Sequence, residues 1–335
     1  MNRKHFLQTA GALAAGGALP APKTFSKPHT PQPYTVPPYL APGAVVGITA
    51  PAGFITPDEI KPAVQVLQSW GYRTRLGSTI GKRHATFGGT DAERLADLQQ
   101  MLDDPTIKAI LCVRGGYGVS RIIDALDFKL FRRNRKWIIG FSDITVLHSH
   151  LYANYRTASL HAPMAAAFNN GEFNNPYVLS LKAALEGAPA EYECAAHPLN
   201  RTGTASGRLT GGNLTLLAHL IGTASDTNFK NKILFLEDIG EHLYNIDRML
   251  LQLARNGKLS KLAGLVIGGF TELKDTGRPY GKEVYPIIQE HVKDLPFPVC
   301  FDFPVSHGRE NLALKNGVRY TLQVRNDGVT LREIT

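Results

Sequence analysis

Apolar runs of four to seven residues alternate with longer stretches of helical periodicity, and this alternation limits the fold more than any other feature of the chain. Ala44-Val-Val-Gly-Ile-Thr-Ala50, Tyr72-Arg-Thr-Arg-Leu76 and Lys108-Ala-Ile-Leu-Cys-Val113 read as strands. Between them, residues 57–70 place Ile60, Ala63, Val64 and Leu67 at mostly helical spacing, and Leu95, Leu98 and Leu102 line one side of a second helix. Thr90-Asp-Ala-Glu93 opens that helix as a capping box. Strands separated by helices indicate a wound parallel sheet, an α/β fold of Rossmann-like type.

Reactive groups in such sheets gather at the carboxyl ends of the strands. After Lys108–Val113 comes Arg114-Gly-Gly-Tyr-Gly118, whose backbone N–H groups can hold an anion at the sheet edge. Its spacing is not that of a dinucleotide fingerprint. Lys136-Trp-Ile-Ile-Gly-Phe-Ser-Asp-Ile-Thr145 is a strand that stops at Ser142 and turns at once into a helix. Ser142 is therefore a candidate nucleophile, and equally a candidate cap for the helix that follows.

A second region follows a turn-rich segment at 184–204. It reads as a smaller, strand-rich domain, with strands at Gly207–Asn213, Lys232–Leu236, Ala263–Gly268, Arg319–Val324 and Val329–Glu333. The third of these is flanked by helices over 245–254 and 283–292. Lys232–Leu236 delivers Glu237 and Asp238, and Val299–Phe303 leads to His307. The expected organisation is an N-terminal nucleophile domain over 39–183 and a C-terminal domain over 205–335. A chain of 335 residues is long for a single core, which agrees with two domains.

The N-terminus reads as an address. Asn2-Arg-Lys-His-Phe-Leu-Gln8 resembles a twin-arginine export signal with Lys4 in place of the second arginine, and a weakly apolar stretch follows to Leu19. Residues 1–21 are expected to be this signal and 22–38 a proline-rich linker. Export to the periplasm or beyond follows, with a cytoplasmic protein carrying an N-terminal tail as the alternative. The formal charge is +9, but Arg3, Lys4, Lys23 and Lys27 supply four of those charges, so the rest of the chain carries +5. That mild excess suits acidic material such as the wall and gives no dense basic patch for nucleic acid. No apolar run of the mature part is long enough for a membrane anchor. Cys112, Cys194 and Cys300 are odd in number and far apart, which argues against a disulfide framework and a thiolate metal site. His148 and His150, two apart on a helix, point to different faces and make poor joint metal ligands. No metal or other cofactor is expected.

Ser142, Glu237 and His307 complete in type the set that serine hydrolysis needs: hydroxyl, imidazole and orienting carboxylate. Phe87-Gly-Gly-Thr-Asp-Ala-Glu-Arg94, Val113-Arg-Gly-Gly-Tyr-Gly118, Gly140-Phe-Ser-Asp-Ile-Thr145, Leu209-Thr-Gly-Gly-Asn213, Leu236-Glu-Asp-Ile-Gly-Glu241 and Asp302–His307 occur in one order. Together they resemble the signature blocks of the LD-carboxypeptidase family, over roughly residues 44–330. The resemblance implies a triad of Ser142 as nucleophile, His307 as general base and Glu237 as its carboxylate. It also implies an oxyanion hole from the backbone N–H of Asp143 and of Gly115 or Gly116, and a homodimer. The implied substrate is a murein tetrapeptide that loses its terminal D-alanine. Arg114 is the nearest candidate for the substrate carboxylate, or else it ties its loop to a neighbouring acid. The family pattern has glycine before the histidine, where this chain has Ser306. Two alternatives are a microcin-immunity type hydrolase of peptidyl-nucleotide toxins and a non-catalytic exported protein that binds wall peptides.

Overall fold

The computed structural model describes residues 33–169 and 173–335. The expected export signal at 1–21 lies outside them, as does most of the 22–38 linker. Five strands succeed one another in the first half: β1 (Val45–Thr49), β2 (Arg73–Leu76), β3 (Ile107–Cys112), β4 (Trp137–Gly140) and β5 (Ser159–His161). All their mutual pairings are parallel, in the spatial order β5-β4-β3-β1-β2. Helices cover both faces, so β1 and β4 are buried at every residue, as strands of a two-sided parallel sheet must be. The helices Pro57–Ser69 and Asp91–Asp103 each begin with a complete capping box, from Thr56 with Glu59 and from Thr90 with Glu93.

The second half contributes β6 (Glu191–Cys194), β7 (Gly203–Asn213), β8 (Lys232–Ile239), β9 (Gly264–Thr271), β10 (Val299–Cys300), β11 (Leu314–Asn316), β12 (Arg319–Val324) and β13 (Val329–Glu333). Seven of these form a mixed sheet in the order β10-β9-β8-β7-β12-β13-β6. Strands β7 to β10 run parallel, while β12, β13 and β6 continue the sheet antiparallel.

The remaining strand, β11, pairs antiparallel with β5 and becomes the edge of the first sheet. The two halves are therefore stitched together by chain exchange as well as by contact. Within β11, Lys315 is fully buried and its Nζ donates to Glu333 Oε2 at 2.9 Å and to the Ala188 carbonyl at 2.9 Å. Removing either charge would leave the other unpaired in the interior, which fixes where β11 can lie. The segment expected as a linker at 184–204 contains β6, and its Cys194 faces Val329 in register. Residues 34–38 pack on the first sheet: Thr35 bridges to Thr157, and the Trp137 indole donates to the Pro38 carbonyl at 3.1 Å.

Candidate active site

At the end of β4 the chain makes a sharp elbow. Gly140 has φ 153° and a Cβ there would fall 2.9 Å from Ile144 Cγ1, so the position accepts only glycine. Phe141 is extended, and Ser142 then adopts φ 60°. A left-handed conformation at a residue other than glycine costs about 1–2 kcal/mol, and it lifts the side chain clear of both strand and helix. A short 3₁₀ turn, Ser142–Ile144, runs into the helix Thr145–Tyr155, and neither start is capped by a side chain. Ser142 thus does not serve as a helix cap. His148 closes the elbow from within that helix, its Nε2 donating to the Gly140 carbonyl at 2.8 Å. Burial pushes its pKa down to about 4, so the ring is neutral and acts as a clasp. His150 instead meets Ser225 Oγ at 2.9 Å, so the two histidines do turn to different partners.

The glycine loop lies against this elbow. A Cβ on Gly115 would sit 2.7 Å from Ser142 Cβ, 2.8 Å from its Oγ and 3.5 Å from the Asp143 amide nitrogen. The Gly115 carbonyl is fixed by the Gly53 amide at 2.8 Å, and Gly116 has φ 98°. Asp143 Oδ2 accepts from the Val119 amide at 2.8 Å, tying the far end of the loop to the elbow. The buried Arg94 guanidinium holds the Gly118 carbonyl at 2.9 Å and that of Pro51 at 2.5 Å. Burial raises the Asp143 carboxyl to about 6, against the opposing pull of the Val119 amide and Arg94.

Glu237 and His307 come from the second sheet. The β8–β9 register shifts between Leu236 and Asp238, and an irregularity of this kind re-aims the side chain between them. Glu237 is fully buried, and its Oε2 accepts from His307 Nδ1 at 2.5 Å. The loop carrying His307 packs directly on β9. A Cβ on Gly268 would lie 2.1 Å from the Val305 carbonyl oxygen, and one on Gly269 would lie 2.6 Å from Ser306 Cβ. Ser306, where the family pattern has glycine, is buried and braces the turn: its Oγ accepts from the Gly308 amide at 3.0 Å and donates to the Glu310 carbonyl at 2.9 Å. Burial disfavours the charge on His307, but the Glu237 carboxylate outweighs it, with help from Asp238 and Glu272, and the net pKa lies above the ordinary value. The other ring nitrogen, Nε2, is buried and has no protein partner. The Phe141 ring, next to Ser142, stands 4.8 Å from the imidazole, edge to face.

Phe141 and His307 line a cavity of about 610 Å³ together with Arg114, Tyr177, Arg309 and Asn311. Arg114 also lies 3.7 Å from Glu59 with both side chains about half exposed, a pairing too solvated to hold it firmly. The neighbouring-acid reading of Arg114 thus finds a partner in Glu59, while its place in the cavity wall leaves the carboxylate reading a proposal. Tyr177, Arg309 and Asn311 escaped sequence reasoning, although Arg309 stands only two residues beyond the histidine. So did the brace formed by Asp238, which accepts from Asn213 Nδ2, the Thr215 amide and the Thr215 hydroxyl, each at 2.8 Å. His161 is fully buried beside Phe141 and Phe235, and burial holds it well below the ordinary histidine range. Among the described residues no cluster of histidine, cysteine or acidic side chains could hold a metal ion, and no helix is long and apolar enough to cross a membrane.

Two joined α/β sheets thus carry the candidate site, a serine elbow on one and a histidine–carboxylate pair on the other. The chain belongs to the LD-carboxypeptidase family: residues 46–162 match the family's N-terminal domain and residues 206–322 its C-terminal domain. It is 33% identical to a probable murein peptide carboxypeptidase of Bacillus subtilis, over 83% of this chain and 88% of that one. The structure superposes on a muramoyltetrapeptide carboxypeptidase from Oxalobacter formigenes with a TM-score of 0.79 and 30% identity, covering 87% of this chain and 99% of the other. The microcin C7 self-immunity protein MccF of Escherichia coli is 24% identical over 88% of this chain and 94% of its own length.

Proposed function

We propose that this chain is a serine-type LD-carboxypeptidase that removes the terminal D-alanine from murein tetrapeptides. The observation that carries the reading is the 2.5 Å contact between Glu237 and His307 Nδ1, with Nε2 left without a protein partner and the ring of Phe141, the neighbour of Ser142, 4.8 Å from the imidazole. Glu237 fixes the tautomer in which Nε2 is the base. His307 then takes the Ser142 proton as the oxygen attacks the scissile carbonyl. The developing oxyanion is received by the amide of Asp143 and by that of Gly115 or Gly116. The imidazolium returns its proton to the leaving D-alanine, and water releases the acyl group by the same path in reverse. Arg114, with Arg309 lining the same cavity, supplies cationic contacts for the free carboxylates of such a peptide.

The toxin-hydrolase reading has less support, because neither Trp70 nor Trp137 lines the cavity as a platform for a base. A non-catalytic binding protein would leave Ser142 as a cap, and its hydroxyl makes no cap bond. Labelling with a fluorophosphonate tests the serine chemistry. Modification of Ser142 that vanishes in Ser142→Ala supports the proposal. Equal labelling of both proteins, or peptide binding with no D-alanine released, overturns it.

A further inference from the structure

His307 sits on a loop that closes on itself. Val305 and Asn311 form an antiparallel bridge at its base, the Leu312 amide donates to the Pro304 carbonyl at 2.9 Å, and Ser306 Oγ spans the loop to the Glu310 carbonyl at 2.9 Å. The histidine and the foot of its loop are therefore held as one unit, and His307 and Asn311 line the same cavity. Asn311 is only 4% exposed, yet neither its Oδ1 nor its Nδ2 has a hydrogen-bond partner in the protein. A carboxamide carries two N–H donors and two acceptor sites, and burying them unpaired costs stability that a plain apolar side chain of the same size would not lose. Which way round the amide stands is immaterial, because both ends are open. Burial, then His148 and His307, keep the His161 ring neutral. The Asn311 amide opposes them weakly, and neither nitrogen of that ring has a partner. Turning one end of the amide towards His161 would still leave the other end for a ligand.

We propose that the Asn311 carboxamide receives a peptide unit of the substrate, accepting from its N–H through Oδ1 and donating to its C=O through Nδ2. A neutral group that offers one acceptor and one donor side by side matches a peptide group, whereas Arg114 and Arg309 in the same cavity suit carboxylates. The choice of unit rests on the peptidase reading. The residue released is terminal, so the only intact peptide unit next to the scissile bond is the one joining the penultimate residue to the rest of the chain. Carried on the His307 loop, Asn311 aligns the acyl part of the peptide with the base.

The test measures binding by calorimetry in a Ser142→Ala background, with and without Asn311→Leu, a near-isosteric change that deletes both polar atoms. Two ligands are compared: a diaminopimelate-containing murein tetrapeptide, and the same peptide with the amide before its penultimate residue replaced by an ester, which removes that N–H. Asn311→Leu should raise the Kd of the tetrapeptide about 30-fold, the worth of two neutral hydrogen bonds. The ester should bind about fivefold more weakly than the amide when Asn311 is present, and equally well when it is leucine. The Tm should stay level or rise in Asn311→Leu, since no bond within the protein is lost. Asn311→Ala, which adds no bulk, repeats the comparison should leucine misfit. A Kd changed less than about threefold, an ester penalty that persists without Asn311, or a Tm lower by more than about 5 °C in both variants overturns the inference. Asn311-dependent binding by a protein whose Ser142 form releases no D-alanine overturns the peptidase reading alone, and absence of any tetrapeptide binding overturns both.

Discussion

Replacing Glu237 by Gln keeps the size and burial of the side chain and removes its charge from the 2.5 Å contact with His307. With charge centres about 4 Å apart and an effective dielectric constant of about 20, the carboxylate stabilises the imidazolium by about 4 kcal/mol. That imidazolium forms in the transition state of acyl transfer, so the loss corresponds to about a 10³-fold fall in kcat. The pH dependence gives an independent check. His307 must be neutral to act as base, and its pKa is raised, so activity in kcat/KM should be lost on the acid side at a pH above the ordinary histidine range. In Glu237→Gln the lowering effect of burial is no longer outweighed, so the acid limb should move to lower pH even as the plateau drops. Kinetics with a tetrapeptide substrate from pH 5 to 9, alongside a thermal melt to verify folding, provide the assay. A fall of less than tenfold, or an acid limb that stays in place, would refute the reasoning.

The glycine loop offers a steric contrast. Gly115→Ala should abolish turnover, by at least about 100-fold in kcat, because its Cβ lands on Ser142, whereas Gly116→Ala meets only the Gly53 backbone at 3.8 Å and should cost about 1–2 kcal/mol of stability through its positive φ. Ser306→Ala removes both turn bonds beside His307 and should destabilise the fold by about 2 kcal/mol, read from urea unfolding, while a Ser306→Ala protein of unchanged stability and kcat would show that the turn needs no brace. Asp143 is raised to about 6 in the fold from an ordinary value of 3.8, so its contribution to stability is present below about pH 4 and is lost as pH rises to about 6. Asp143→Asn should reduce that fall by about 3 kcal/mol, and an unchanged pH profile of unfolding would contradict the assigned burial.

The parallel half was legible because its strands are continuous apolar runs and its helices keep a 3.6-residue period, both of which are local signals. Leu314–Asn316 was not legible, since three residues carry no period and their pairing with β5 is set by the distant Lys315–Glu333 contact. The sequence reading gave Ser142 both roles, nucleophile and helix cap, and the structure shows no cap bond. The left-handed φ that separates these roles is imposed by Gly140, by His148 and by the glycine loop packed against it, none of which a local pattern records. The placing of Glu237 and His307 at strand ends was visible from the sequence, but their meeting depends on the β8 irregularity and on two glycines of β9 that admit the loop.

The most direct test of the account is incubation of the purified protein with a diaminopimelate-containing murein tetrapeptide, followed by mass spectrometry. Loss of one D-alanine with the wild type, and none with Ser142→Ala of the same thermal stability, is the predicted result. An intact tetrapeptide after incubation with the folded wild type, or equal release by Ser142→Ala, would contradict it.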